Sequence, residues 1–309
     1  MSTRTVKWGH TTPSMGPAVV AIGVFDGVHL GHQALIAASA SDAAQRDVPC
    51  MALTFDRDPD QVIAPDASSA QLLTLADKCT FLGDAGADIV LVIPFDTAIA
   101  SMPPEKFVSA VLRATCTPLA VHVGIDFRFG RFAEGTVEDL EKLGRSGGFA
   151  VSAHELVHLD SSPVTSTRIR ALIADGSVDD AARLLGRSHR IGGMVVRGRG
   201  EGLSLLGVPT ANILPEEHAA LPADGVYAGT ALVDDRSWPA AISVGIPPTF
   251  PSAHGSLEAH LIGFEGDLFH EHITLKIERR LRSQRRFDDP ADLARAIHAD
   301  IAAIASAAE

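Results

Sequence analysis

The chain has 309 residues, with 38 acidic against 26 basic side chains and a formal net charge of -12. That length exceeds what one hydrophobic core usually serves, so two domains are expected, and the acidic balance argues against a nucleic-acid groove, which needs a basic face to neutralise phosphates. No apolar run approaches the roughly 18 residues of a membrane helix and residues 1–17 lack a hydrophobic signal core, while Cys50, Cys79 and Cys116, without C-x-x-C spacing, suit reduced, buried thiols in the cytoplasm better than disulfides or zinc.

Short apolar runs at residues 18–25, 51–55, 88–95, 118–127 and 149–157, rich in Val, Ile and Phe, predict buried parallel strands. Helical patterns at 32–46, 75–85, 104–114 and 137–143 lie between them, the alternation of a doubly wound α/β sheet. Two more helices begin near Thr165 and Val178. After Leu185-Gly186-Arg187 the texture changes. Six runs, at 193–196, 208–213, 225–233, 240–245, 257–262 and 273–277, are separated by Gly, Pro or Asp turns with little helix among them, which predicts an antiparallel six-stranded β-barrel. A final helix is signalled by Asp289 as N-cap, Pro290 at the first helical position and an apolar stripe of Leu293, Ile297, Ile301 and Ile304. The expected division is therefore 1–186 and 187–309.

The first run leads into Asp26-Gly27, after which His29 and His32 flank Gly31 where a helix should begin. Helix N-termini attract anions. Two imidazoles placed there could stabilise charge developing on the α-phosphate of ATP, while the glycines let backbone amides approach the nucleotide. The ordinary alternative is a glycine turn with histidine caps. A Walker P-loop is excluded, because no Gly-Lys-Ser/Thr follows. Further on, Ser166, Thr167 and Arg168 open a helix with hydroxyls and a guanidinium, a set suited to phosphates and equally to a simple cap.

In the second half Thr210 and Asn212 are two residues apart, so on an extended strand they face one way, and their oxygens are hard ligands suited to a Mg²⁺ ion that also binds ATP phosphates. In the run around Glu258 the alternation puts this carboxylate on the face opposite Leu257, Ala259 and Leu261, where it could take a proton from an attacking hydroxyl. A solvated barrel face would show the same pattern.

The motifs Gly23-x-Phe25-Asp26-Gly27-x-His29-x-Gly31-His32, Thr54-Phe55, Gly124-x-Asp126-Phe127-Arg128-Phe129-Gly130 and Ser166-Thr167-Arg168-Ile169-Arg170 occur in the order and spacing of the bacterial bifunctional riboflavin kinase/FAD synthetases, which the chain resembles over nearly its whole length. The resemblance implies an N-terminal adenylyltransferase using Mg²⁺, ATP and FMN to make FAD and pyrophosphate, and a C-terminal kinase phosphorylating riboflavin. It implies small-molecule substrates, with neither nucleic acid nor membrane as partner. Carried over by position, His29 and His32 contact ATP phosphates, with Gly23, Phe25, Asp26, Gly27 and Gly31 around the nucleotide and Asp126 near nucleotide or flavin. Ser166, Thr167 and Arg168 complete that phosphate site. In the kinase module Thr210 and Asn212 match the metal site, Glu258 the catalytic base, and Gly198, Gly200 and Gly202 a nucleotide-binding glycine-rich loop.

Some positions depart from the family pattern. Asp58 stands where a His is usual. In the glycine-rich loop Arg197 and Arg199 replace the usual His and Asp, and Leu203 stands where an Arg is expected; further on, Ser243, Pro247 and His270 replace Asn, Arg and Gly. Two accounts of the second half follow: the loop grips phosphates in its own way, or the domain binds flavin without phosphoryl transfer. Alternatives for the whole chain are a nucleotidyltransferase acting on another phosphoester or a modified flavin, and a flavin-binding regulator without turnover.

Overall fold

The computed structural model describes residues 3–9, 11–197, 208–234, 236–245, 256–287 and 289–306. Contacts divide the chain into two compact units, Met1–Thr165 and Ser166–Glu309.

The first unit is built on a parallel six-stranded sheet of β1 (Arg4–Lys7), β2 (Pro17–Ile22), β3 (Cys50–Phe55), β4 (Ile89–Ile93), β5 (Thr117–Gly124) and β6 (Ala150–His154), in the order β1-β4-β3-β2-β5-β6. Both faces are covered, so alternate residues of one strand enter different cores: Val20 and Ile22 pack with Leu53, Leu91 and Leu112, whereas Ala21 packs with Ile36, Ala52 and Val90. This is why the strands read as continuous apolar runs. The covering helices include α1 (Leu30–Gln45), α2 (Leu75–Asp84) and α3 (Val137–Gly147). Thr74 caps α2, a reciprocal Thr136–Asp139 box starts α3, and Gly148 ends it at φ 79°. A two-residue hairpin of β7 (His158–Leu159) and β8 (Ser162–Pro163) follows the sheet.

Strand order reverses between β2 and β5. In doubly wound sheets that reversal opens a crevice beyond the carboxyl ends of the strands, and the Gly23–His32 and Gly124–Gly130 motifs leave those two strand ends.

The structure corrects some expected limits. β1 was not expected; it is a short, polar edge strand paired with β4. β2 stops at Ile22 rather than at residue 25, because Phe25 adopts φ 54° and leaves the ladder. β5 ends at Gly124, where the Phe127 N–H turns back onto the Gly124 carbonyl at 3.0 Å.

In the second unit α4 (Ser166–Asp175) and α5 (Val178–Leu185) precede β9 (His189–Val196), β10 (Ala211–Pro215), β11 (Gly225–Val233), β12 (Arg236–Gly245), β13 (Ser256–Leu261) and β14 (His272–Arg282). The strands close antiparallel into a barrel, β10-β13-β12-β11-β14-β9. Ile191, Ile213, Tyr227, Ile242, Leu257, Leu275 and Ile277 fill it. Val178 of α5 joins that same core, and the division by contacts falls ahead of both helices. Gly229 is obligatory in β11, since a Cβ there would collide with the Lys276 carbonyl oxygen. α6 (Pro290–Ala305) ends the described fold, with Asp289 accepting from Ala291 N–H at 2.9 Å.

Candidate active sites

At the carboxyl end of β2 the chain makes a tight turn with Phe25, Gly27 and Val28 all at positive φ. Holding two non-glycine residues there stores strain, a frequent property of ligand-binding turns. His29 is the N-cap of α1: its backbone is extended and its Nδ1 accepts the His32 N–H at 3.4 Å. Because Nδ1 accepts, a neutral His29 ring carries its proton on Nε2. The His29 and His32 rings stack at 3.6 Å with 17° between planes, and Phe25 meets His32 edge-on at 5.3 Å. The two imidazoles thus form one packed pair at the positive end of a sixteen-residue helix. A Cβ at Gly31 would lie 3.1 Å from the His29 ring and press on this pair. Gly23 is required by Phe25, whose ring would be 2.8 Å from a Cβ.

Asp26 has a structural bond that sequence does not reveal. It is buried, and its carboxylate accepts the Leu72 N–H at 3.0 Å. Beside it lies Lys78 of α2, also buried, whose Nζ donates to Phe55 O at 2.8 Å and Val24 O at 3.3 Å. Burial pushes the Lys78 pKa down, and the negative charges of Asp58 and then Asp26 oppose that shift. Asp58, itself 5% exposed, supplies the buried ammonium with a counter-charge. Thr54 completes the brace, its Oγ1 donating to Val24 O at 2.9 Å. Lys78 was missed by sequence reasoning, and its one signal is a lone cation on the apolar side of a helix.

Asp126 and Arg128 lie exposed on the turn after β5. The loop is closed by paired main-chain bonds between Phe129 and Gly135, 3.2 and 2.9 Å, and by Gly130 at φ 73°, where a Cβ would meet Pro104 at 2.8 Å. Ser166, Thr167 and Arg168 form the opening turn of α4 in the second unit.

On the barrel, Asn212 of β10 and Ser243 of β12 are the register partners of Glu258 of β13 from its two sides. Directly opposed residues of an antiparallel ladder point to one face, so Asn212, Glu258 and Ser243 form a polar row. Their neighbours Ile213, Leu257, Ile242 and Val244 are buried. Thr210 lies one residue ahead of β10, so the alternation argument reaches Asn212 but not Thr210; that segment is instead tied to β13 by His260, whose Nδ1 is 2.7 Å from Pro209 O. Gln284 donates from Nε2 to Ser243 Oγ at 2.9 Å and Val244 O at 3.2 Å. A carboxylate flanked by an amide and a hydroxyl is suited to accept a proton beside hard-oxygen ligands. Gly198, Gly200 and Gly202, together with Arg199, Leu203 and Pro247, lie outside the described residues. Among the described residues no helix is long and apolar enough to cross a membrane.

The FAD synthetase family model matches residues 11–168 and the riboflavin kinase model residues 185–308. A bifunctional riboflavin kinase/FMN adenylyltransferase of Pseudomonas fluorescens is 36% identical over 292 residues, covering 94% of this chain and 93% of that one. Proteins of the same description from Escherichia coli (strain K12) and Bacillus subtilis (strain 168) are 33% and 30% identical, covering 87% and 92% of this chain and 86% and 90% of theirs. Among solved structures, one described as a macrolide-efflux protein from Streptococcus pneumoniae superposes with a TM-score of 0.85 at 28% identity, covering 97% of this chain and 98% of that one.

Proposed function

The chain belongs to the bifunctional riboflavin kinase/FMN adenylyltransferase family, and on that premise we propose that it phosphorylates riboflavin to FMN and then adenylylates FMN to FAD. Adenylylation is assigned to the first unit. The observation that carries the proposal is the stacked His29/His32 pair capping α1 beside the β2/β5 crevice. An FMN phosphate oxygen attacks the α-phosphorus of ATP and pyrophosphate leaves, so no protein nucleophile is needed. The His29 Nε2–H, the His32 ring and the helix N-terminus lower the barrier by stabilising negative charge on the α-phosphate oxygens. Asp26 and Lys78 keep the turn in shape, while Asp126, Ser166, Thr167 and Arg168 are the proposed further contacts.

Phosphorylation is assigned to the barrel, with the boundary between activities at 186/187, beside the start of the riboflavin kinase match. Glu258 accepts the proton of the attacking ribityl hydroxyl, and Asn212 and Thr210 present oxygens for Mg²⁺. The donor chemistry fits that ion; when bound with ATP it offsets charge on the phosphates. Three free cysteines, two of them buried, support a reducing, cytoplasmic setting. Whole-chain likeness to named bifunctional relatives does not favour another phosphoester substrate or a regulator without turnover. Incubation with Mg-ATP and FMN, then with Mg-ATP and riboflavin, followed by chromatography, tests both assignments. FAD is expected from the first mixture and FMN, then FAD, from the second; no FAD from FMN would refute the adenylyltransferase assignment.

A further inference from the structure

Arg197 and His270 are far apart in sequence but meet on one aromatic ring. Arg197 follows the last residue of β9, and its guanidinium carbon sits 5.5 Å from the centroid of the Phe269 ring, inside cation–π range. The His270 imidazole lies 3.8 Å from that ring, centroid to centroid, tilted by 43°. Two main-chain bonds pin this segment to β9: Val195 N–H to Glu271 O at 2.8 Å and His270 N–H to Val195 O at 3.0 Å. His270 holds φ 69°, a left-handed conformation costly for a residue with a β-carbon. Phe269 is 38% exposed, so core packing does not account for the stack.

The ladder places this stack close to the polar row. Val196, the neighbour of Arg197, is the register partner of Asn212, which stands opposite Glu258. The strand end that carries Arg197 is therefore the one that pairs with β10, the strand of Asn212. Asp267, two residues before Phe269, accepts the Phe269 N–H at 2.9 Å.

The geometry points to Arg197, stacked on Phe269 beside His270, as a clamp for the triphosphate of ATP in riboflavin phosphorylation. A guanidinium offers a planar fork of N–H donors that matches phosphate oxygens. Stacking on the ring removes side-chain freedom before the ligand arrives, which lowers the cost of binding. His270 adds a ring nitrogen to the same surface. The inference rests on the kinase reading of the second unit.

Steady-state kinetics of both reactions on the full chain test it. Arg197→Ala is expected to raise the ATP KM of riboflavin phosphorylation about tenfold or more, the loss typical of a charge-assisted phosphate contact. The riboflavin KM, and the ATP KM of FMN adenylylation, should stay unchanged. Arg197→Lys should recover only part, because an ammonium is not a fork. His270→Gly should raise the same ATP KM without lowering Tm, since it also relieves the left-handed strain. An unchanged kinase ATP KM in Arg197→Ala, an equal change in both reactions, or a shift in riboflavin KM instead would overturn the clamp. A wild-type chain unable to phosphorylate riboflavin would overturn the kinase reading, and the clamp with it.

Discussion

Lowering the pH from 7 to 5 should weaken the barrel through one side chain, His189. This imidazole is 1% exposed at the start of β9, its Nε2 is 2.7 Å from Ala220 O, and its Nδ1 has no hydrogen-bond partner among the described residues. Burial pushes its pKa down to about 4, with the nearby Arg187 charge adding to the shift. A folded-state pKa below the unfolded value of 6.5 means that the folded form resists protonation. The associated stability is therefore complete above pH 6.5, falls as pH drops towards 4, and is gone below that. At about 1.4 kcal/mol per pKa unit, the interval from pH 7 to 5 withdraws about 2 kcal/mol, a large fraction of a domain's stability. The half-buried carboxylate of Asp42 does not compete in this window. Burial alone would raise its pKa, but hydrogen bonds from Arg46 and His122 hold it below the usual carboxylate range, so its contribution is lost only at lower pH. The assay is urea unfolding at both pH values, followed by Trp238 on β12 in a Trp8→Phe background, which silences the other of the two tryptophans. His189→Gln keeps a donor towards Ala220 but cannot titrate. It should lose about 2 kcal/mol less than wild type between pH 7 and 5. An equal loss in both proteins would refute this linkage.

Two further substitutions test how the first site is held together. Lys78→Met removes the counter-charge of Asp26 and Asp58 and should cost the first unit about 3–5 kcal/mol, the usual result of stranding buried charge; adding Asp58→Asn should restore part of it, and strictly additive losses in urea midpoints would count against the coupling. Gly31→Ala should leave Tm unchanged or higher, because Ala favours helix by up to about 1 kcal/mol. FAD formation should nevertheless fall about tenfold as the His29 ring is displaced; a variant as active as wild type would show that the stacked geometry is dispensable.

The layers of the fold were legible because burial on both faces of a parallel sheet leaves runs such as residues 51–55 uninterrupted, whereas turns in the second half break the pattern into barrel strands. Strand ends were less legible. Phe25 and Phe127 continue the apolar character past the last ladder bond, and only their backbone geometry shows that the strands have stopped. β1 was invisible because an edge strand with one half-buried valine, Val6, gives no periodic signal. β14 extends to Arg282, beyond the expected run, because its pairing with β11 continues through register shifts where the consecutive charges Glu278, Arg279 and Arg280 have ended the alternation. At the first site the residue types and spacing were readable. The stacking of the two rings, and the use of Asp26 as an acceptor for Leu72, depend on contacts that sequence order does not encode. At the second, Glu258 and Asn212 stood out as types, but the row they form with Ser243 is a matter of register, set by pairing between distant strands.

The central claim is that one chain carries two chemically independent sites, and the most direct measurement is a crossed pair of substitutions assayed for both products. His32→Ala should lower FAD formation from FMN by about two to three orders of magnitude while riboflavin phosphorylation continues. Glu258→Gln should lower FMN formation from riboflavin by a factor of at least about a hundred while FMN adenylylation continues. Loss of both activities together in either variant, with the fold intact by urea unfolding, would contradict the account.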